Sequence, residues 1–308
     1  ASLSAARTIA GAHGAHIFVA RVRRDPREVL VPQSGMGMSA SMIETIIEQA
    51  ENAANEARAA SLAEFDRWRE ANNFPVVEKP TATDGVTVSF ETLVGEPGRV
   101  VARRARTVDA ICVVAPSDND GTDAAVIAEA AMLESGKATL VVPHDVEMPA
   151  IKGIAIGWNA SKEAAAAVAH AMPLLVTAET VAVMAGIDED LTEEDLAAFV
   201  DSLRWHGVKA TAKSFDASSG SISGRLQAEA REAGAQLLVL GAYSHSRLRE
   251  SIFGGVKGEF YVWKYLTGTK YAPDILVNKA LRKNQNLSNN RSNPLAEETT
   301  GQQGNNDQ

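Results

Sequence analysis

The sequence predicts an α/β fold of two tandem domains, each a parallel sheet covered by helices. Short apolar runs of strand length alternate with longer segments whose apolar residues recur at helical spacing. Such alternation indicates βαβ units. Aromatic residues make up 5% of the chain while alanine is abundant, which suits thin helices on a sheet. A chain of 308 residues has room for two domains of roughly 100 to 150 residues.

The predicted elements follow one another along the whole chain up to residue 240. The predicted strands share a short apolar run and are residues 15–22, 86–94, 110–115, 138–142, 153–156, 180–184, 208–215 and 236–240. The predicted helices lie between them and are residues 41–69, 97–107, 124–135, 161–175, 193–206 and 224–233. Parallel strands need crossover connections of this length, so the helices are expected to cover the sheet.

The two halves of the chain share one layout, which indicates a duplication. In the first half, residues 98–103 lead to the apolar run 109–114. In the second half, residues 224–229 lead to the apolar run 235–240, with the same spacing along the chain between the two segments. Pro143, just before the connection between the copies, and Pro149, within it, discourage a helix or a central strand there. The predicted domains are therefore a first, degenerate copy over residues 1–143, a linker over 144–152, a second copy over 153–280 and a disordered polar tail over 281–308.

The beginnings of the two copies differ. The second copy opens with the predicted strand 153–156 and continues into the helix from Ser161, whereas the first copy opens directly on residues 2–7, which match that helix. The first copy is therefore expected to lack its first strand, which is central in a doubly wound sheet. Residues 275–277, Ile-Leu-Val, are a candidate for the last strand of the second copy.

Composition excludes several classes of function. A net charge of -9 and a pI near 5.3 argue against nucleic acid as a partner. The single cysteine, Cys112, leaves no intrachain disulfide framework, and its apolar neighbours predict a buried, inert thiol. No apolar run reaches the roughly 18 residues of a membrane span, and no leader pattern opens the sequence. The histidines show no metal-ligand spacing, so a cytoplasmic protein without a metal is expected.

The segment after residues 237–240 carries the candidate chemistry. It reads Gly-Ala-Tyr-Ser-His-Ser-Arg-Leu-Arg-Glu-Ser-Ile-Phe-Gly-Gly-Val over residues 241–256. A loop of this kind leaves the carboxyl end of a parallel strand and has small residues where the backbone approaches a ligand. Such loops bind phosphate in open α/β folds. A purely structural loop, with glycines serving a turn, is the alternative interpretation.

The spacing of Gly241, Ser244, Gly254 and Gly255 resembles the loop of universal stress proteins. In that family a glycine, two residues, a second glycine, nine residues, a third glycine and a serine or threonine bind the ribose and phosphates of ATP. The resemblance covers roughly residues 1–256. It implies two Rossmann-like, flavodoxin-like domains of the adenine nucleotide alpha hydrolase type, a role in the stress response and ATP as the ligand.

The resemblance implies a nucleotide site in the second copy. Its residues would be Gly157, Asn159, Val183, Met184, Gly241, Ser244, Arg247, Gly254, Gly255 and Val256. Three of them depart from the family pattern, because Ser244 replaces a glycine, Gly255 replaces a hydroxyl residue and Asn159 replaces an aspartate that recognises the base. In the first copy the matching loop, residues 115–121, starts without glycine and carries two carboxylates that would repel phosphate. No ligand is assigned there.

These observations predict a regulatory protein that binds rather than catalyses. No catalytic residue is assigned, since no base or metal ligand can be identified near the loop. The expected assembly is an intramolecular pair of domains, with a homodimer and an unidentified protein partner left open. Two alternatives remain open, a weak nucleotide hydrolase or transferase that uses the same crevice, and an interaction scaffold without a ligand.

Overall fold

The computed structural model describes residues 1–27, 39–80, 85–117, 122–144, 147–217, 222–241 and 261–265, the last of these as backbone. All of them belong to one compact unit, Ala1–Thr267, and the remaining unit is Gly268–Gln308. The predicted tail over 281–308 and the candidate strand over 275–277 therefore lie outside the described residues.

In its described residues, the first half, residues 1–143, has four helices and four strands of regular length. The helices are α1 (Ser2–His13), α2 (Ala40–Ala71), α3 (Pro97–Ala105) and α4 (Thr122–Leu133). The strands are β1 (His16–Arg23), β2 (Thr87–Val94), β3 (Ala110–Val114) and β4 (Ala138–Val142). Helix α1 ends at Gly14, whose φ of 61° is the left-handed conformation that glycine adopts without strain. Helix α3 begins at Pro97 behind Glu96, whose carboxylate accepts from the N–H groups of Gly98 and Arg99.

The second half, residues 153–265, contains three helices and five strands in its described residues. The helices are α5 (Lys162–Thr177), α6 (Glu193–Trp205) and α7 (Ile222–Glu232). The strands are β5 (Gly153–Gly157), β6 (Thr180–Ile187), β7 (Ala210–Asp216), β8 (Leu237–Gly241) and β9 (Tyr261–Tyr265). Thr192 and Asp195 form a reciprocal capping box that starts α6.

The second half has a complete open sheet. Its strands follow the order β9-β8-β5-β6-β7, and all four neighbouring pairs are parallel. The predicted strand at residues 153–156 is confirmed as β5, which pairs with β6 on one edge and with β8 on the other. The α/β class with parallel sheets is confirmed as well.

The first half is split between two sheets. Strands β1 and β2 form a two-stranded parallel sheet, while β3 and β4 form a parallel pair at the end of the seven-stranded sheet. Within the described ranges α1 is the first element of the chain, and no strand pairs with both β1 and β3. The prediction that the first domain lacks its first strand is confirmed.

Strand β9 joins the two halves edge to edge. It pairs parallel with β8 and antiparallel with β4, for example through Trp263 opposite Leu140. It therefore occupies the place at the end of the second half's sheet that a last strand would take. The sequence analysis considered residues 275–277 for that place, and the composition of residues 261–265 did not predict a strand.

Two apolar cores lie on the two faces of the large sheet. Leu140, Ile154 and Ile156 belong to one core, and their chain neighbours Val141 and Ala155 belong to the other, as the alternation of a strand requires. A third and smaller core lies between α2 and the β1–β2 pair. None of the helices in the described parts of the chain is long and apolar enough to cross a bilayer.

The connection between β4 and β5 is held against α1. The backbone N–H of Met148 donates to Ser4 Oγ at 3.0 Å, and Thr8 Oγ1 donates to the carbonyl oxygen of Met148 at 3.1 Å. The side chain of Met148 is buried in the same core as Ile154. These contacts fix the opening helix of the first half to the segment that leads into the second half.

Candidate functional site

Three strand ends meet at one edge of the second half's sheet. Gly157 at the end of β5 is aligned with Met184 of β6 and with Leu240 of β8. The N–H of Trp158 donates to the carbonyl oxygen of Met184 at 2.8 Å and extends this alignment beyond the strand. After β5 the chain forms its neighbour β6 on one side, and it later returns to form its other neighbour β8. The topological switch point, where the order of the strands reverses direction, therefore lies between β5 and β8. Ligands of open α/β sheets bind at such points.

Val183 and Met184 contribute backbone rather than side chain to this edge. Both side chains are fully buried, Val183 in one core of the large sheet and Met184 in the opposite core. The carbonyl oxygen of Met184 already accepts from Trp158. A ligand at the strand ends would therefore meet the main chain beyond these residues and not their side chains.

A short hydrogen-bonded turn connects β5 to α5. Asn159 Oδ1 accepts from the N–H of Ser161 at 3.3 Å and from Ser161 Oγ at 2.7 Å. Ser161 Oγ in turn accepts from the N–H of Ala164 at 3.1 Å and caps the helix. Between them Ala160 has a φ of 55°. A backbone N–H can only donate, so the side-chain oxygen of Asn159 must face Ser161. The side-chain nitrogen of Asn159 has no hydrogen-bond partner within the described residues.

Gly241 lets the start of α5 approach the strand ends. A Cβ at Gly241 would lie 2.6 Å from the carbonyl carbon of Glu163 and would also collide with the backbone nitrogen of Ala164. Any larger residue there would push the helix away from the sheet. At Gly157 a Cβ would instead lie 2.5 Å from Leu240 Cδ2, so this glycine makes room for a side chain of β8. Of the predicted site residues, Gly241 thus has the packing role that places the α5 N-terminus at the switch point.

Sequence reasoning missed the charge next to this point. The side chain of Glu163, in the first turn of α5, is 12% exposed, and its Oε1 lies 3.8 Å from Nζ of Lys162, whose side chain is 69% exposed. A carboxylate is favourable at a helix N-terminus, yet it also adds negative charge beside Gly241. The sequence Ser-Lys-Glu at the start of α5 could have indicated this negative charge. Among the described residues no three His, Cys, Asp or Glu side chains gather as metal ligands would.

The remaining predicted site residues lie outside the described residues. They are Ser244, Arg247, Gly254, Gly255 and Val256. The structure therefore brings together Gly157, Met184 and Gly241 at the strand ends, with Asn159 in the adjoining turn.

The equivalent edge of the first half is arranged differently. The N–H of Ala115, just after β3, donates to the carbonyl oxygen of Val142 at 2.8 Å. The carbonyl oxygen of Ala115 lies 2.6 Å from His144 Nε2. Both backbone groups at the start of the matching loop are thus engaged with the end of β4. No counterpart of Gly157 or Asn159 exists in the described first half, because no strand occupies the place of β5.

An open parallel sheet with a glycine-lined switch point defines a Rossmann-like architecture. No family model matches the sequence, and no curated protein matches it either. Solved structures do match. A universal stress protein from Archaeoglobus fulgidus DSM 4304 superposes with a TM-score of 0.58 at 14% identity, over 87% of this chain and 92% of that one. The described chain therefore has the fold of a universal stress protein.

Two further matches bear the same family description. A putative universal stress protein from Pseudomonas aeruginosa UCBPP-PA14 has a TM-score of 0.44 at 16% identity, over 86% of this chain and 88% of that one. A protein of the universal stress protein family from Burkholderia pseudomallei has a TM-score of 0.29 at 19% identity, over 39% of this chain and 97% of that one.

Proposed function

We propose that this chain is a stress-response protein of the universal stress family that binds a nucleotide in its second half and acts through binding rather than catalysis. One observation carries the proposal. The switch point between β5 and β8 coincides with the N-terminus of α5, which Gly241 allows to approach and Ser161 caps. The fold shared with the Archaeoglobus protein supports it.

The phosphates would bind along the loop that follows β8. In the proposed complex the backbone N–H groups of residues 244–256 and the guanidinium of Arg247 carry the phosphates, because Gly255 offers no hydroxyl. The backbone of Glu163, at the start of α5, lies beside Gly241, from which that loop leaves β8. Without the hydroxyl donor, weak binding is the expected consequence.

The base would bind at Asn159. Its oxygen is held by Ser161, so it presents the donor side of its amide outwards. A donor suits an acceptor on the base, such as a ring nitrogen or a keto oxygen, whereas an aspartate at the same place would suit the amino group of adenine. The proposed ligand class is therefore a nucleotide whose base presents an acceptor to Asn159, with ATP accepted through a ring nitrogen and a keto base favoured.

Isothermal titration calorimetry with ATP tests the proposed phosphate contacts of the loop after β8. The Ser244→Gly, Gly255→Ser double variant restores the family loop and should bind ATP about ten- to a hundredfold more tightly, since a hydrogen bond to a charged group contributes roughly 1.5 to 3 kcal/mol. The proposal fails if the double variant binds no better than the parent and the parent gives no heat at millimolar ATP.

Variants of Asn159 test the proposed contact with the base. The two ligands are ATP, whose base carries an amino group, and inosine triphosphate, whose base carries a keto group at the same position. Asn159→Asp should raise the affinity for ATP and lower that for inosine triphosphate, because the side chain then only accepts. Asn55→Asp is the matched control, since Asn55 is exposed on α2 and should leave both affinities unchanged. Equal shifts for both nucleotides in the Asn159 variant would assign its effect to overall charge instead of base contact.

A further inference from the structure

Asn159 lies between two fixed points of the main chain. On one side the N–H of Trp158 donates to the carbonyl oxygen of Met184 at 2.8 Å. On the other side the carbonyl oxygen of Ser161 accepts from the N–H of Ala165 at 3.0 Å, as the chain enters α5. The main chain around Asn159 is therefore held by β6 and by α5, and the side chain of Asn159 is the part of the residue that can still turn.

The backbone of the turn favours one arrangement of that side chain. Ala160 has a φ of 55°, in the left-handed region that residues with a Cβ seldom adopt. This conformation brings the N–H of Ser161 to within 3.3 Å of Asn159 Oδ1. The chain thus keeps an unfavourable conformation at Ala160 that lets the side chain of Asn159 bond to the residue two positions ahead.

The Ser161 hydroxyl has a single proton, and α5 determines where that proton points. The hydroxyl oxygen accepts from the N–H of Ala164 at 3.1 Å, so its proton is directed away from that N–H. Asn159 Oδ1 lies 2.7 Å from the hydroxyl oxygen and is the acceptor of this proton. The hydroxyl therefore supplies the shorter of the two bonds that hold the amide of Asn159.

The two donors of Ser161 have different effects on the amide. The backbone N–H cannot accept, so an amide turned the other way would place its NH2 group against a second donor. The hydroxyl holds the amide in place at the shorter distance. Asn159 is exposed, so packing would not replace this bond if the hydroxyl were removed. Without the hydroxyl the side chain would turn about its own single bonds and present either face of its amide.

We propose that Ser161 is a positioning residue that sets the base preference of the nucleotide site. By donating to Asn159 Oδ1 it keeps the amide nitrogen directed away from the turn and available to the base. The preference for an acceptor on the base over an amino group therefore depends on Ser161 as well as on Asn159. This inference rests on the proposed nucleotide site, and it ties the cap of α5 to the recognition of the base.

Calorimetric titration of the full chain with ATP and inosine triphosphate tests the proposal. Ser161→Gly removes the hydroxyl but keeps the backbone N–H, and glycine is a tolerated N-cap, so α5 should remain folded. The affinity for inosine triphosphate relative to that for ATP should fall by about two- to tenfold, as expected for the loss of one hydrogen bond. The reason is that a freed amide can also turn its oxygen towards the amino group of adenine.

Two further variants separate base preference from helix capping. Ser161→Thr retains a hydroxyl at the N-cap and should keep the affinity ratio of the parent. Ser39→Gly is the matched control, because Ser39 Oγ accepts from the N–H of Met42 and caps α2 in the first half. Both glycine variants remove a cap and should lower the melting temperature slightly, whereas Ser161→Gly alone should change the affinity ratio.

A double variant separates positioning from direct contact. In the Asn159→Ala background there is no amide to position, so adding Ser161→Gly should leave the ratio of the two affinities unchanged. A further fall of the ratio in the double variant would mean that Ser161 itself contacts the base, and the proposed positioning role would be wrong.

The remaining outcomes distinguish this inference from the proposed function. An unchanged ratio in Ser161→Gly, or an equal fall in Ser39→Gly, would overturn the positioning role while the nucleotide site remained. If the parent gives no heat with either nucleotide at millimolar concentration, the nucleotide site itself is wrong, and the positioning role of Ser161 fails with it.

Discussion

Strands β3 and β8 show how strongly one missing neighbour changes an apolar segment. They occupy equivalent places in the repeat and have similar sequences, Ala-Ile-Cys-Val-Val and Leu-Leu-Val-Leu-Gly. With β5 beside it, β8 is buried from Leu237 to Leu240, while β3, which has no such partner among the described strands, has Val113 as its buried residue. An apolar sequence therefore defines a strand, but the adjacent strand determines how much of it leaves water.

The same difference separates the two halves at the candidate site. The candidate site needs the end of a central strand at the switch point, and in the second half Gly157 and Asn159 lie there. In the described first half the backbone beyond β3 is instead bonded to the end of β4. Under the proposed function, the nucleotide is therefore expected in the second half.

Truncation at equivalent positions should give the largest contrast in stability. Leu238 is buried, and Leu238→Ala should lower the free energy of unfolding by about 2 to 5 kcal/mol. Its counterpart Ile111, the second residue of β3, faces the same core but is partly exposed, and Ile111→Ala should cost roughly 1 kcal/mol. Urea unfolding followed by circular dichroism measures both. Equal losses would mean that β3 is as well covered as β8 and would remove the basis of the comparison.

Glycine replacements should give an intermediate contrast. Gly241→Ala forces a methyl group against the backbone of α5 and should destabilise by about 1 to 3 kcal/mol. Gly11 lies inside α1 with nothing within 4 Å of an added Cβ, so Gly11→Ala should stabilise by roughly 0.5 to 1 kcal/mol. Thermal unfolding of both variants checks the signs. A neutral Gly241→Ala would show that α5 can move away from β8, which would weaken the candidate site.

A smaller effect is expected from Cys112 at high pH. Cys112 as a residue is only partly buried, but removal of its thiol from water raises the pKa of that group to about 12, so the folded protein retains a proton that the unfolded chain releases near its ordinary pKa. The stabilisation is complete below that ordinary value and is lost as the pH rises towards 12. Between pH 8 and 10 the parent should therefore lose about 1 kcal/mol more than Cys112→Ala. Identical pH profiles of the unfolding free energy would place the thiol in water.

Local periodicity was sufficient to predict most of the elements. The predicted helix 41–69 is observed as Ala40–Ala71, and the predicted strand 138–142 as Ala138–Val142. The missing first strand of the first half followed from the repeat, because the second half supplied the complete pattern. Such features depend on side chains close together in sequence, which is where patterns are informative.

Features that depend on distant partners were not predictable. Tyr261–Tyr265 becomes a strand through pairing with β8 and β4, although its composition differs from the alanine-rich elements. Equally, the bonds of Asn159 to Ser161 orient its amide, and the approach of Gly241 to Glu163 depends on how α5 packs on the sheet. The sequence placed residues at the strand ends but contained no information about these orientations.

Native-state hydrogen exchange of the parent chain tests the asymmetry of the two halves most directly. The amides of β8 have ladder partners on both edges and should exchange only through global unfolding, whereas alternate amides of β3 should exchange at least about tenfold faster. Slow exchange along the whole of β8, together with fast exchange at the edge of β3 that has no ladder partner among the described strands, is the expected result. Equal, global protection of β3 and β8 would show that the first half has a central strand after all and would contradict the account.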